Sequence, residues 1–344
     1  MSARKVAIIG DHFMLPDMFQ RALAGLPAPQ ATETRSLQLQ WPDVPMREGD
    51  CGGGVSEYVG DPDEVARFIG DAEILINHLA PVTRAMLEQL PDLKFIVITR
   101  GGPVNMDLKA LAQKSIAVAS TPGRNASAVA EFAVGMILTE TRRIRAGHEG
   151  LRRGQWRGDL YRADSVGDEL ADLSVGIIGY GKIGAHLARL LRPFNCRLLA
   201  ADPHVDISND AVRQVSQRTL LAESDIVVLA ARVTAETAGM IGAGQLQRMK
   251  KTALLVNVAR GPLVDYGALY EALAKNTIAA AVLDTFSVEP PAPDWPLLQL
   301  PNVTLTPHIA GASRRTIKIA AECAAEEVRR YLAGEPPLNP VIHP

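Results

Sequence analysis

Short apolar runs punctuate the chain, each followed by a polar turn and then by apolar positions spaced three and four apart. In the first third the runs are Val6–Ile9, Ile74–Ile76, Phe95–Ile98 and Ile116–Ala119. Later come Val175–Ile178, Leu198–Ala201, Ile226–Ala230, Ala253–Val258, Ala280–Leu283 and Val303–Leu305. Continuous apolar runs, rather than alternation, describe strands covered on both faces. Separated by helical patterns, they predict an α/β fold class with two doubly wound, open parallel sheets. An all-helical arrangement is excluded because the runs are too short and too rich in Val and Ile.

Two longer patterns predict helices. From Ala126 to Arg145, Val129, Phe132, Ala133, Met136 and Ile137 share one face, and Arg142, Arg143 and Arg145 are expected to close the last turn, where cations favour the helix dipole. From Ser313 to Leu332, Ile317, Ala321, Ala324 and Val328 share a face, with Gly334 as a stop signal. The stretch from Pro27 to Pro62, with Trp41-Pro42, Pro45 and Gly52-Gly53-Gly54, reads as an irregular surface excursion.

Composition narrows the function classes. A chain of 344 residues corresponds to roughly two domains at about 150 residues each. With 36 Lys and Arg against 38 Asp and Glu, the net charge is −2, which offers no basic field to hold a polyanion. Nucleic acid is therefore not expected as a partner. Cys51, Cys196 and Cys323 are scattered and odd in number, which excludes a disulfide framework and a CxxC-type metal site and suits a reducing cytoplasm. The first apolar run meets Asp11 too early for a signal peptide, and no stretch is apolar enough to suggest a membrane span.

The strand Val175–Ile178 runs into Gly179-Tyr180-Gly181-Lys182-Ile183-Gly184 and then a helix with Ile183, Leu187 and Leu190 on one face. A GxGxxG between a buried strand and a helix is the context of a dinucleotide-binding turn. Glycine lets the backbone approach a pyrophosphate, and free N–H groups at the helix start hold the anion. A tight strand–helix turn with no ligand is the plainer alternative. The next strand ends at Asp202, 18 residues past the last glycine, close to the spacing of about 20 for a ribose-binding carboxylate. Its charge would repel a 2′-phosphate, favouring NAD over NADP; a turn residue before Pro203 is the alternative. His204 reads as a loop histidine.

Three further strand ends carry chemistry: Ala259-Arg260-Gly261, Asp284 followed by Val288-Glu289-Pro290, and Thr306-Pro307-His308-Ile309. Open α/β sheets bind ligands at these carboxyl ends. A guanidinium can grip a substrate carboxylate with two parallel hydrogen bonds, an imidazole can pass a proton, and a carboxylate can orient that imidazole. Singly, each would be a solvated charge; together beside a nucleotide loop they form a reaction set.

With these pieces in place, the chain resembles the D-isomer-specific 2-hydroxyacid dehydrogenases. The likeness rests on Arg100-Gly101-Gly102, Ala128 to Glu131, Val175 to Gly184, LVNVARGPLVD from Leu255 to Asp265, LDTFSVEP from Leu283 to Pro290 and TPHIAG from Thr306 to Gly311. It implies hydride exchange between NAD and a small D-2-hydroxy acid or its 2-oxo acid. Arg260 would bind and polarise substrate, His308 would be the acid/base and Glu289 its partner. Gly179, Gly181, Lys182, Ile183 and Gly184 would line the pyrophosphate and Asp202 the ribose. Val258, Ala259, Asp284 and Gly311 would face the nicotinamide side. Arg100, Gly101 and Gly102 would meet the substrate carboxylate, and Asn77-His78 falls where relatives place another substrate-facing loop; Glu131 reads as a structural helix residue.

The resemblance also implies a substrate domain over 1–119 and 309–344, flavodoxin-like, a Rossmann NAD-binding domain over 120–308, an active site in the cleft between them, and a homodimer. Two other readings share the scaffold: an NAD-sensing corepressor-like binding protein and a phosphite dehydrogenase-like enzyme. A formate dehydrogenase is disfavoured because Gln usually stands where this chain has Glu289. No dense basic cluster lines the loops near 41–58, 77–81 and 100–105, which disfavours a phosphorylated substrate.

Overall fold

The structure, a computed structural model, describes residues 3–25, 27, 31–41, 54–208 and 210–342. The chain divides into two compact units, one formed by Met1–Arg124 with Ser313–Pro344 and the other by Asn125–Ala312.

The first unit begins β1 (Arg4–Gly10), α1 (Pro16–Ala24), β2 (Thr32–Gln38), α2 (Pro62–Ile69), β3 (Ile74–Asn77), α3 (Arg84–Glu88), β4 (Phe95–Ile98), α4 (Leu108–Gln113) and β5 (Ala117–Ser120). The second unit contains α5 (Ala126–Thr141), α6 (Ile144–Arg152), β6 (Ser174–Ile178), α7 (Lys182–Leu191), β7 (Arg197–Ala201), β8 (Val212–Gln214), α8 (Gln217–Glu223), β9 (Ile226–Leu229), α9 (Ala243–Leu246), β10 (Leu254–Asn257), α10 (Tyr266–Ala274), β11 (Ala280–Leu283) and β12 (Val303–Leu305). The chain then returns to the first unit with α11 (Arg314–Leu332) and β13 (Pro340–Ile342).

Each apolar run named above overlaps a strand, and the central strands are covered on both faces: Ile74–Asn77, Phe95–Ile98 and Ile226–Leu229 are buried at every position. Burying a Val, Leu or Ile side chain contributes about 1.5–3 kcal/mol, so such four-residue runs hold the sheet centre without help from length. The first sheet runs in the order β13-β5-β4-β3-β1-β2 and the second β12-β11-β10-β9-β6-β7-β8. In the first, β1 pairs in parallel with both β2 and β3, Val6 opposite Thr34 and Ile74. The connection after β1 leads to β2 on one side and the connection after β3 to β4 on the other, the switch point at which open sheets form a crevice beyond their carboxyl ends. The corresponding switch in the second sheet lies between β6 and β9.

Three expectations need correction. The stretch from Pro27 to Pro62 contains β2, a polar edge strand (TETRSLQ) that pairs along its whole length with β1; Pro42, Pro45, Gly52 and Gly53 lie outside the described residues. The first sheet is not wholly parallel, since β13 runs antiparallel to β5. The helix from Ala126 ends at Thr141, because the Thr141 carbonyl accepts from the Asp168 N–H (3.0 Å) and Arg143 turns left-handed (φ 57°). Arg145 belongs to α6 and bonds back to Glu140 (2.9 Å).

The unit boundaries also fall later than expected, after Arg124 and Ala312 rather than after 119 and 308. Ser120 N–H bonds to Asn339 O and Thr121 N–H to Arg100 O, keeping that segment on the first sheet. Ile309 and Ala310 donate to Asp284, keeping theirs on the second. The α11 helix, capped at Ser313, buries Ala320, Ala321, Ala324 and Val328 against the first sheet, and Tyr331 stacks on Phe95 at 4.7 Å.

Candidate active site

The glycine turn after β6 is built for close approach by a ligand. Gly179 has φ 93°, and a Cβ there would sit 2.6 Å from Ala231 N; at Gly184 it would sit 2.1 Å from Gly179 O. These two glycines are required by the turn's own packing. Gly181 is different: a Cβ there would meet nothing within 4 Å, so the backbone at the N-terminus of α7 lies open. Lys182 is exposed, Ile183 half-buried. Asp202 Oδ2 accepts from Tyr180 N–H (2.7 Å) and Oδ1 from His204 N–H (2.9 Å). A carboxylate offers about four lone-pair sites, so these bonds fix the group beside the turn while leaving acceptor capacity toward ribose hydroxyls. An open helix N-terminus, a turn without Cβ atoms and a fixed carboxylate fit a dinucleotide.

The reaction set gathers at the other carboxyl ends of the same sheet. His308 Nδ1 lies 2.7 Å from Glu289 Oε2, and Glu289 Oε1 accepts from Phe286 N–H (2.9 Å). Burial by itself would raise the Glu289 carboxyl, but the bond and charge of His308, the Phe286 N–H and the Arg260 charge together hold it below its ordinary value. Glu289 is thus an acceptor, which assigns the Nδ1 proton to His308. Arg260 is exposed and donates to Ala259 O (2.8 Å).

Two backbone devices, invisible in the sequence pattern, hold this set. The first is Gly261: a Cβ there would lie 1.9 Å from Phe286 O and 2.0 Å from its carbonyl carbon. The turn carrying Arg260 is therefore pressed against the turn carrying Glu289, and only glycine permits it. The second is Asp284, wholly buried, whose carboxylate accepts from Thr306 Oγ1 (2.7 Å), Ile309 N–H (2.8 Å) and Ala310 N–H (2.9 Å). His308 N–H adds a bond to Asp284 O (2.8 Å), and His308 itself is left-handed at φ 54°. Backbone held in that region costs about 1–3 kcal/mol and persists only when over-determined by its surroundings; Asp284 supplies that determination. Its carboxylate is engaged by the His308 loop. Tyr266, whose hydroxyl donates to Thr285 O (2.5 Å), braces the same turn.

Val258 and Ala259 are buried at the end of β10, and Gly311 packs on the Asn125 side chain, where a Cβ would come within 2.7 Å of Nδ2. Arg100, Gly101 and Gly102 belong to the first unit. The Arg100 guanidinium pairs with the Glu57 carboxylate and donates to Glu57 O (3.1 Å), so that side chain is committed; Gly101 and Gly102 are exposed, with open space around them. Glu131 is exposed on α5. Among the described residues no group of three or more His, Cys, Asp or Glu could hold a metal ion, and no helix is long and apolar enough to cross a membrane.

Comparison with known proteins converges on one family. The NAD-binding domain of the D-isomer specific 2-hydroxyacid dehydrogenases matches residues 134–310. A glyoxylate reductase of Korarchaeum cryptofilum is 38% identical over 275 residues, covering 79% of this chain and 83% of that one. A glycerate dehydrogenase of Methylorubrum extorquens is 34% identical over 301 residues, covering 86% and 94%. The solved structure of the TT0316 protein from Thermus thermophilus superposes with a TM-score of 0.79 at 28% identity, covering 98% of this chain and all of that one. The chain belongs to the D-isomer specific 2-hydroxyacid dehydrogenases, nicotinamide-dependent oxidoreductases that interconvert 2-hydroxy and 2-oxo acids.

Proposed function

We propose that this enzyme reduces a small, unphosphorylated 2-oxo acid to its D-2-hydroxy acid with NADH, and that His308, Glu289 and Arg260 carry the reaction. The observation that carries the reading is the His308–Glu289 bond at 2.7 Å, at the sheet end that also presents Arg260. With the Nδ1 proton committed to Glu289, Nε2 is the atom that gives a proton to the developing alkoxide and takes one back in the reverse direction. The nicotinamide, when bound, supplies the hydride. Arg260 holds the substrate carboxylate through a two-pronged pair and polarises the carbonyl. Asp202 accepts from the ribose hydroxyls and disfavours a 2′-phosphate, so NAD is preferred. Asp284 and Gly311 hold the loop beside the cofactor, and backbone N–H groups at Arg100, Gly101 and Gly102 serve as donors to a carboxylate.

The named activities of the relatives, glyoxylate reductase and glycerate dehydrogenase, support glyoxylate and hydroxypyruvate as first substrates. We place the enzyme in the cytoplasm on its three scattered cysteines. We assign a homodimer whose interface takes the α6 arm, where Leu151, Trp156 (86% exposed) and Tyr161 (94% exposed) present apolar surface a monomer has no use for. Oxidation of NADH with a panel of 2-oxo acids tests the catalytic reading: turnover is expected and Arg260→Ala should remove most of it with NADH affinity retained. NADH binding with no turnover on any 2-oxo acid would make the chain a nucleotide-sensing binding protein instead.

A further inference from the structure

The first unit has a buried polar cluster that the catalytic set does not use. It lies at the switch point where the connections after β1 and β3 leave in opposite directions. Asp11 follows β1, His78 follows β3, Thr99 follows β4 and Arg124 comes just after β5. Asp11 and His78 are wholly and almost wholly buried, with 1% and 4% of their side chains exposed, and Nδ1 of His78 lies 2.5 Å from Asp11 Oδ2. The other Asp11 oxygen accepts from Phe13 N–H (2.9 Å) and Met14 N–H (2.8 Å). Gly10 permits this tight turn, since a Cβ there would sit 2.1 Å from Met14 O.

The bonds fix the state of the imidazole. A carboxylate accepts, so Nδ1 carries the proton and donates to Asp11. On the other side Nε2 meets an Arg124 Nη at 3.5 Å, and a guanidinium only donates, so Nε2 is an acceptor. A protonated ring would set two donors and two cations against each other, with Arg100 adding a third positive charge. Burial pushes His78 toward the neutral form, and Arg124 and Arg100 push the same way against Asp11. His78 is therefore not a second acid/base. Its backbone is locked too: N–H to Ile9 O (3.2 Å) and carbonyl to Asn105 Nδ2 (3.3 Å).

What this arrangement fixes is Arg124. Its Nε donates to Thr99 O and an Nη to His78, so two bonds from different strand ends set the plane of a half-buried guanidinium. Burying a carboxylate and an imidazole is costly unless the polar groups are satisfied; here they are, and they converge on one planar cation at the ligand-binding edge of an open sheet. Planar orientation is what two-pronged recognition of a carboxylate requires.

We propose that the first unit carries its own carboxylate-binding site, in which Arg124 is the binding residue and Asp11 and His78 are positioning residues that hold its guanidinium in plane. The site rests on the first unit alone, and its choice of an acidic ligand rests on the oxo-acid reading. The carboxylate can be the one next to the oxo group or a second one at the far end of a dicarboxylate.

Calorimetric binding to the full-length protein, with oxamate as a monocarboxylate and 2-oxoglutarate as a dicarboxylate, tests it. Arg124→Gln should weaken binding about 10- to 100-fold, the range for a charge-assisted pair. Loss for both ligands assigns the site to the carboxylate beside the oxo group, and loss for 2-oxoglutarate alone assigns it to a distal carboxylate. Arg124→Lys should fail to restore affinity, because a point charge does not replace a fixed plane. In a His308→Gln background, affinity should fall as the pH drops below the ordinary histidine range and His78 gains a proton; His78→Asn should remove that dependence. Should His78→Asn not fold, the pH dependence is compared between the His308→Gln protein and the same protein carrying Arg124→Gln, which should lack it. Unchanged affinity of Arg124→Gln for both ligands overturns the site, as does a wild-type protein that binds neither. Turnover in the same preparation, and Arg260→Ala in parallel, then report separately on the oxo-acid reading.

Discussion

Each unit holds a histidine whose Nδ1 bonds to a carboxylate just past the end of a parallel strand, and the two pairs sit in different surroundings. His308 and Glu289 are 2.7 Å apart with 40% and 25% of their side chains exposed, whereas His78 and Asp11 are 2.5 Å apart with 4% and 1%. The bond is the same; solvation differs. For the buried ring the loss of hydration outweighs Asp11 and keeps the imidazole neutral. The ring of the second unit keeps one side open to solvent. A histidine–carboxylate pair is thus no signature of acid/base chemistry until its burial is known.

The sharpest way to break this comparison is to remove the exposed ring. His308→Gln keeps a polar side chain at the loop but cannot shuttle a proton. General acid/base catalysis contributes typically 10²–10⁴-fold, so kcat should fall by about that factor at saturating substrate and NADH. NADH affinity, measured by fluorescence, should stay within a few-fold, because the glycine turn and Asp202 are untouched. A variant that keeps the wild-type rate and pH–rate profile would move the acid/base to another residue.

The supporting glycines offer the next test. Gly261 behind Glu289 and Gly10 behind Asp11 both admit a backbone approach that a methyl group would block, at 1.9 Å from Phe286 O and 2.1 Å from Met14 O. In the second unit the displaced backbone carries the Phe286 N–H that fixes Glu289. A displacement near 1 Å can cost about 100-fold in rate, so Gly261→Ala should lower kcat by about 10- to 100-fold and shift the pH–rate profile. Gly10→Ala disturbs a buried turn in the first unit, and overpacking of that kind costs about 1–3 kcal/mol, visible as a lower denaturation midpoint. Equal loss of kcat and midpoint in both variants would mean that the two turns do not differ in role.

Much of this fold is legible in the sequence, for physical reasons that also explain which parts are not. The central strands announce themselves because burial on both faces demands unbroken apolar runs such as Ile226–Leu229. The edge strand Thr32–Gln38 does not, since one flank and much of both faces meet water and TETRSLQ satisfies its backbone bonds without apolar residues. Arg260, Glu289 and His308 stand out as candidates because each directly follows or closely trails a recognisable strand. The position of Asp284 at a strand end is visible in the sequence, but its bonds to Thr306, Ile309 and Ala310 cross between strand ends and follow from no spacing. Asp11, His78 and Arg124 lie 67 and 46 positions apart along the chain, and no spacing rule connects them; the sheet order does. The end of α5 depended likewise on Asp168 capturing the Thr141 carbonyl from outside the helix.

The smallest effect expected is on stability against acid, and it separates the two rings without reference to catalysis. Burial holds His78 below its ordinary value of 6.5 in the folded chain. As pH falls through that ordinary value, the unfolded chain takes up a proton that the folded chain still refuses. Stability from this residue is therefore fully present above the ordinary value and is lost on acidification. One proton contributes at most about 1.4 kcal/mol per pH unit. His78→Asn should lower the denaturation midpoint at pH 7.5 through lost packing and hydrogen bonding, and the gap to wild type should narrow by pH 5.5. A gap that stays constant across that interval would show that His78 titrates in the native state as freely as an exposed ring, and the contrast between the two pairs would lose its physical basis.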